Sequence, residues 1–147
     1  MKHKQFIQAL DHPQITDAIA AAEAGTSGQI RVFVSRRAVD DPVKAARERF
    51  VRLGMEKTVR RNAVLVFFAP EARRYAVVGD QGIHERCGGD DFWKTLVDGV
   101  MRPLLKAERY TEAIVAAVAQ VGQAMAVHFP REAGEKVNEL PDAVEED

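Results

Sequence analysis

The chain has 147 residues, 46% hydrophobic and 29% charged, which suits one domain with a substantial core and excludes two ordinary ones. Net charge is −1 and the isoelectric point about 6.4, so the strongly basic balance of a nucleic-acid-binding domain is missing. A single cysteine excludes an internal disulfide, and no apolar run nears the roughly 18 residues that cross a bilayer.

The opening "MKHKQFIQALDHPQ" has basic residues but no apolar h-region and no small-residue cleavage site. No signal peptide is therefore expected, and the expected location is cytoplasmic. Phe6, Ile7 and Leu10 mark a short helix. In "DHP", Asp11 or His12 can cap a second helix, with Pro13 at its first turn. Ile15, Ala18, Ile19 and Ala22 continue it at helical spacing, and Gly25 ends it.

"GQIRVFVS" alternates Ile30, Val32 and Val34 against Phe33 and reads as a strand. "DDPVKAARERFVRLGMEKT" opens with an acidic cap and Pro42, then sets Val43, Ala46, Phe50 and Leu53 on one stripe of a charged helix. "NAVLVFFA" is continuously apolar, as in a strand buried on both faces. "PEAR" turns the chain back into "RYAVVG", and so short a link predicts an antiparallel hairpin.

"GDQGIHERCGGDD" reads as a polar loop. After it, "DDFWKTLVDGVMRPLLKAERY" is helical, with Pro103 predicted to kink it near Met101. "TEAIVAAVAQVGQAMAVHF" gives a last helix with Ile114, Val118, Val121 and Met125 on one face. Its Ala113, Ala116, Ala117 and Ala124 are small enough for close internal packing or for a protein partner.

The order α-α-β-α-β-β-α-α predicts an α/β fold: a three-layer α/β/α sandwich around a small mixed sheet, with a parallel pair and an antiparallel hairpin. Residues 1–130 form the expected single domain and residues 131–147 an acidic tail. That tail carries a charge of −5, leaving +4 for the body. It is either solvated or docked, in trans or over the basic body. The Arg pairs at 36–37, 60–61 and 73–74 read as solvated faces. Removing residues 133–147 is expected to cost less than about 1–2 kcal/mol.

The polar loop shares one sheet edge with "TSG" (26–28) and "RRN" (60–62), while "SRRAVDDP" and "APEAR" lie at the other. Ligands of open α/β sheets bind beyond the carboxyl ends of parallel strands, which points instead to "SRRAVDDP". Asp80, Glu85, Asp90 and Asp91 are candidate hard-oxygen ligands for Ca²⁺ or Mg²⁺. Capping by Asp90 or Asp91 and a turn at Asp80 explain the same residues without a metal. His84 and Cys87 have no second pair for a zinc site, and Cys87 reads as an inert thiol rather than a nucleophile. No phosphate-cradling glycine motif is present; Arg60, Arg61 or Arg86 could neutralise an oxyanion, but no nucleophile can be named.

The run "SGQIRVFV", "RNAVLVFFAPEARRYAVVGDQGIHERCG", "FW", "MRPLLKAERYTEAIVAAVAQVGQAMAVHFP" and "NELPD" resembles the TPM domain family, over about residues 26–142. Its better-known members are a thylakoid-lumen acid phosphatase, a photosystem repair protein and an animal receptor-associated protein; the closing motif resembles a small soluble bacterial branch. The resemblance implies an α/β/α sandwich, divalent cation binding and, in some members, weak phosphatase activity. Gly79–Glu85 stands where the family has a Gly-x-Gly-Leu-Glu type loop, and Gln29 where relatives often have glutamate. Many relatives carry an export signal and a transmembrane helix, neither of which is found here. The expected function is binding of a divalent cation, a protein partner or both. The alternative is a weak metal-dependent phosphomonoesterase. Asp80 and Glu85 are the leading ligands.

Overall fold

The computed structural model describes residues 1–131 and 143–147. Helices α1 (His3–Ala9) and α2 (His12–Ala24) precede strand β1 (Gln29–Val34). Helix α3 (Pro42–Arg52) crosses to β2 (Ala63–Ala69), and β3 (Arg74–Gly79) returns antiparallel. Then come α4 (Gln81–Arg86), α5 (Asp90–Thr95), α6 (Arg102–Lys106), α7 (Tyr110–His128) and a two-residue strand β4 (Glu145–Glu146).

Caps and prolines start the helices where the sequence places them. Asp11 accepts the Gln14 N–H at 3.1 Å ahead of Pro13, and Asp41 accepts the Lys44 N–H at 3.1 Å ahead of Pro42. The sheet order is β3-β2-β1-β4. β1 and β2 run parallel, from Gln29 opposite Ala63 to Val34 opposite Phe68. β2 and β3 are antiparallel, Val64 opposite Gly79 through Ala69 opposite Arg74. The mixed sheet with helices on both faces is the expected α/β sandwich.

Strand alternation divides the core between the two faces. Ile30, Val32, Val34, Val64, Val66 and Phe68 meet Ile15 and Ile19 of α2 and Ile114, Val118 and Met125 of α7. Phe33, Leu65, Phe67 and Val78 meet Ala46 and Phe50 of α3 and Met55 just beyond it, with Val39, Ala45 and Leu53 partly buried against them. That second layer is thin, and a cleft opens at its edge between α3 and the end of β3. Val43, expected on the α3 stripe, is 46% exposed; Ala46, Phe50 and the partly buried Leu53 carry the contact.

Three features differ from the sequence reading. The polar loop is half helix: Asp80 caps α4, and its glycines serve packing as well as turning. A Cβ on Gly79 would come within 2.4 Å of Trp93, and one on Gly82 within 2.5 Å of the Arg60 carbonyl. The long helix is broken where Pro103 predicts it, but by widening: Leu96–Met101 is a π segment, with the Arg102 N–H reaching the Val97 carbonyl. Proline lacks an N–H and crowds the carbonyl four residues back, so the preceding turn expands. Finally, the tail's end pairs with β1 as β4, Glu145 opposite Phe33; residues 132–142, including all of "NELPD", lie outside the described residues.

The small residues of α7 serve packing. Ala113 and Ala117 are buried, and Gly122 lets α2 approach so closely that a Cβ there would sit 2.7 Å from the Ala22 Cβ.

Candidate functional site

The cleft between α3 and α4 is lined by Arg47, Phe50 and Val51 of α3, Glu56, Arg61, and the segment from Val78 through Asp80 to Gln81 and His84. Hairpin register creates it: Gly79 ends β3 opposite Val64, and the Asp80 N–H bonds the Ala63 carbonyl at 2.9 Å. This sets Asp80 beside the "RRN" turn that feeds β2.

Asp80 is 6% exposed and fully engaged. Arg61 donates Nε to Oδ2 at 2.7 Å and Nη2 to Oδ1 at 2.9 Å, a bidentate pair, and the Gln81 N–H reaches Oδ1 at 2.7 Å. The hydrogen bond to Asp80, then its charge, hold the Arg61 guanidinium above its ordinary range. Arg61 sits at φ +53°, a left-handed conformation unusual for a side-chain-bearing residue, secured by the Gly82 N–H on its carbonyl at 2.9 Å.

Two other cleft groups stand out. Glu56 has a buried Oε2 without a hydrogen-bond partner among the described residues, although it lies within range to raise the Arg61 pKa. His84 accepts the Trp93 indole N–H on Nδ1 at 3.0 Å. Indole only donates, so the neutral ring carries its proton on Nε2.

Asp80 alone of the four carboxylates read from sequence lines this cleft. Glu85 is exposed on α4 and accepts Gln81 Nε2 at 3.1 Å. Asp90 and Asp91 occupy the first turn of α5 behind Gly89, Asp90 with a 96% exposed side chain 3.9 Å from His84 Nε2. Among the described residues, no group of three or more His, Cys, Asp or Glu converges as a metal cage. Cys87 packs against the larger core, and burial pushes its thiol pKa up, away from nucleophilic use.

Sequence reasoning singled out Asp80 and Arg61 but not their pairing, and it missed Glu56 and Arg47. The predicted topology already placed 60–62 and 79–85 on one edge, the signal that could have joined the first two. Glu56 follows a helix end and carries no pattern of its own.

The TPM domain family profile matches residues 1–124. The NMR structure of the BA42 protein from the psychrophilic bacterium Bizionia argentinensis is similar at a TM-score of 0.82, with 31% identity over 92% of each chain. The N-terminal domain of cg2496 from Corynebacterium glutamicum shares the fold at a TM-score of 0.60 and 18% identity, over 88% of this chain and 79% of that one. An N-terminal domain from P. gingivalis does so at 0.60 and 19%, over 84% and 82%. No curated protein matches. No helix of the described residues is long and apolar enough to cross a membrane.

Proposed function

Because the chain belongs to the TPM domain family, we propose that it acts as a binding domain whose α3–α4 cleft takes a divalent cation, Ca²⁺ or Mg²⁺, together with an anionic group. The observation that carries this reading is the presence in one cleft of a nearly buried carboxylate, Asp80, and a buried carboxylate oxygen on Glu56 that has no hydrogen-bond partner among the described residues. A buried acceptor left without a donor is costly, and a cation relieves it.

The donor set fits a sparsely ligated ion. Mg²⁺ keeps several waters and is commonly held by one or two carboxylates plus a ligand's phosphate oxygens, whereas an all-protein Ca²⁺ cage needs more ligands than the cleft supplies. Arg61 now saturates Asp80, and its side chain is 50% exposed, free to swing. Released, it would stand with Arg47 to receive an anion. In this reading Asp80 is a ligand, while Glu85, Asp90 and Asp91 stay in solvent.

One observation favours the alternative, a metal-dependent phosphomonoesterase. The Nδ1 of His84 accepts the Trp93 indole N–H, which leaves the Nε2–H of this cleft-lining residue to donate a hydrogen bond to an ester oxygen. The lining has no Ser, Thr or Cys, so those residues offer no covalent acceptor. Melting curves of Asp80 and Glu56 variants with and without cation test the binding reading; hydrolysis of a phenyl phosphate ester, with and without chelator, tests the enzyme.

A further inference from the structure

Open α/β sheets bind ligands beyond the carboxyl ends of their parallel strands, and β1 and β2 run parallel. Just past β1, Ser35 is buried, and its N–H bonds the Phe68 carbonyl of β2 at 2.7 Å. The chain then bends at Arg36 and Arg37. The Arg37 N–H donates to Ser35 Oγ at 3.2 Å, which leaves the hydroxyl proton for another acceptor. Arg49 of α3 reaches the same place, its guanidinium held over the Phe33 ring 4.4 Å from the centroid.

These donors converge on one anion, and it belongs to the chain itself. Asp147 Oδ1 accepts the Arg36 N–H at 2.8 Å, with Arg36 Nε 3.8 Å away. Its Oδ2 accepts the Ser35 hydroxyl at 3.1 Å and Arg49 Nη2 at 3.5 Å. A peptide N–H, a hydroxyl and two guanidinium groups thus form a seat for a planar, two-oxygen anion. The hold on Asp147 is local. It lies beyond β4, whose Glu145 is fixed separately by Arg31 Nε at 2.9 Å, so the Asp147 side chain can turn out without unpairing the strand. The Arg36 side chain is 64% exposed and keeps donors for a second acid. None of Ser35, Arg36, Arg49 and Asp147 lines the cation cleft.

We propose that this seat is a binding site for a small dicarboxylate. One carboxylate takes the place of Asp147 against the Arg36 N–H, the Ser35 hydroxyl and Arg49, and the second meets the exposed Arg36 guanidinium. Asp147 is the resident self-ligand, which fills the seat when no free acid does. The site is independent of the cation cleft and asks nothing of it.

The test titrates the full chain with succinate at constant ionic strength and follows the NMR signal of the Arg36 amide. Asp147→Ala empties the seat and should bind succinate about tenfold or more tighter than wild type, because a tethered competitor acts at high local concentration. Adding Arg49→Gln should reverse that gain, and acetate, with one acid group, should bind more weakly than succinate. Should Asp147→Ala fail to unfold cooperatively, excess succinate should still move the Arg36 amide of wild type, and an unmoved amide there overturns the proposal. Equal affinity in both proteins, a gain that survives Arg49→Gln, or acetate or inorganic phosphate acting as readily as succinate would each overturn it too. So would a shift confined to the Gly82 amide, which reports binding in the cation cleft instead.

Discussion

Arg61 grips Asp80 through two parallel hydrogen bonds, 2.7 and 2.9 Å long, from a backbone held at φ +53°. The carboxylate is nearly buried and caps α4, while the arginine is exposed. Loss of the two partners should therefore be unequal. Asp80→Asn should destabilise the protein by about 1–3 kcal/mol, since it removes a charged cap and leaves donors short of an acceptor. Arg61→Ala should cost less, as expected of an exposed cation whose hydrogen bonds to the carboxylate water can partly replace. Urea midpoints of the two variants check this; equal losses would contradict it.

Gly82 and Gly99 should respond oppositely to alanine. A Cβ at Gly82 meets the Arg60 and Arg61 carbonyls at 2.5 and 2.7 Å, backbone atoms that cannot yield without moving the turn that carries Arg61. Gly82→Ala should cost about 1–3 kcal/mol. Nothing lies within 4 Å of a Cβ at Gly99, and Gly99→Ala should be neutral or stabilising by about 0.5–1 kcal/mol. Thermal unfolding of both variants decides.

Much of this architecture is legible in the sequence because burial writes a period into it. The alternation of Ile30, Val32 and Val34 and the apolar run 63–69 fix the strands, and Pro13, Pro42 and Pro103 mark two helix starts and a break. The loop 79–89 misleads because glycine has two uses. Four glycines suggest a flexible turn, yet Gly79 and Gly82 are small so that Trp93 and a carbonyl can come close. β4 is illegible for another reason: Glu145–Glu146 has no strand propensity and pairs through Arg31 and the Asp147 pocket. The cleft is half legible. Asp80 stands out among glycines, but Glu56 becomes notable only when its oxygen is found buried.

The docking of Asp147 should depend on acid. Partial burial raises its pKa, but the Arg36 N–H, Ser35 and Arg49 outweigh it, so the carboxyl lies below its ordinary 3.8. A depressed pKa means the contact contributes above the unfolded value and is lost as pH falls through the folded one. The Arg36 amide should leave its docked NMR shift as pH falls, with a midpoint below 3.8. A midpoint above that value would contradict the docked geometry.

The proposed competition between Arg61 and a cation for Asp80 has a distinctive signature. Arg61→Ala should enlarge the cation-induced rise in melting temperature, because it frees a carboxylate at little cost in fold. A purely structural Arg61 would leave that rise unchanged or smaller.

The most direct test of the cleft is the melting temperature of the wild-type chain in millimolar Ca²⁺ and Mg²⁺ against chelator, alongside Asp80→Asn, Glu56→Gln, Glu85→Gln and Asp90→Asn, each compared with its own cation-free baseline. At 100 times Kd a bound ion contributes about 2.7 kcal/mol, a shift of several degrees. The account predicts that shift in wild type, Glu85→Gln and Asp90→Asn, and its loss in Asp80→Asn and Glu56→Gln. No shift in wild type, or a shift abolished by Glu85→Gln or Asp90→Asn but retained in Glu56→Gln, would contradict it.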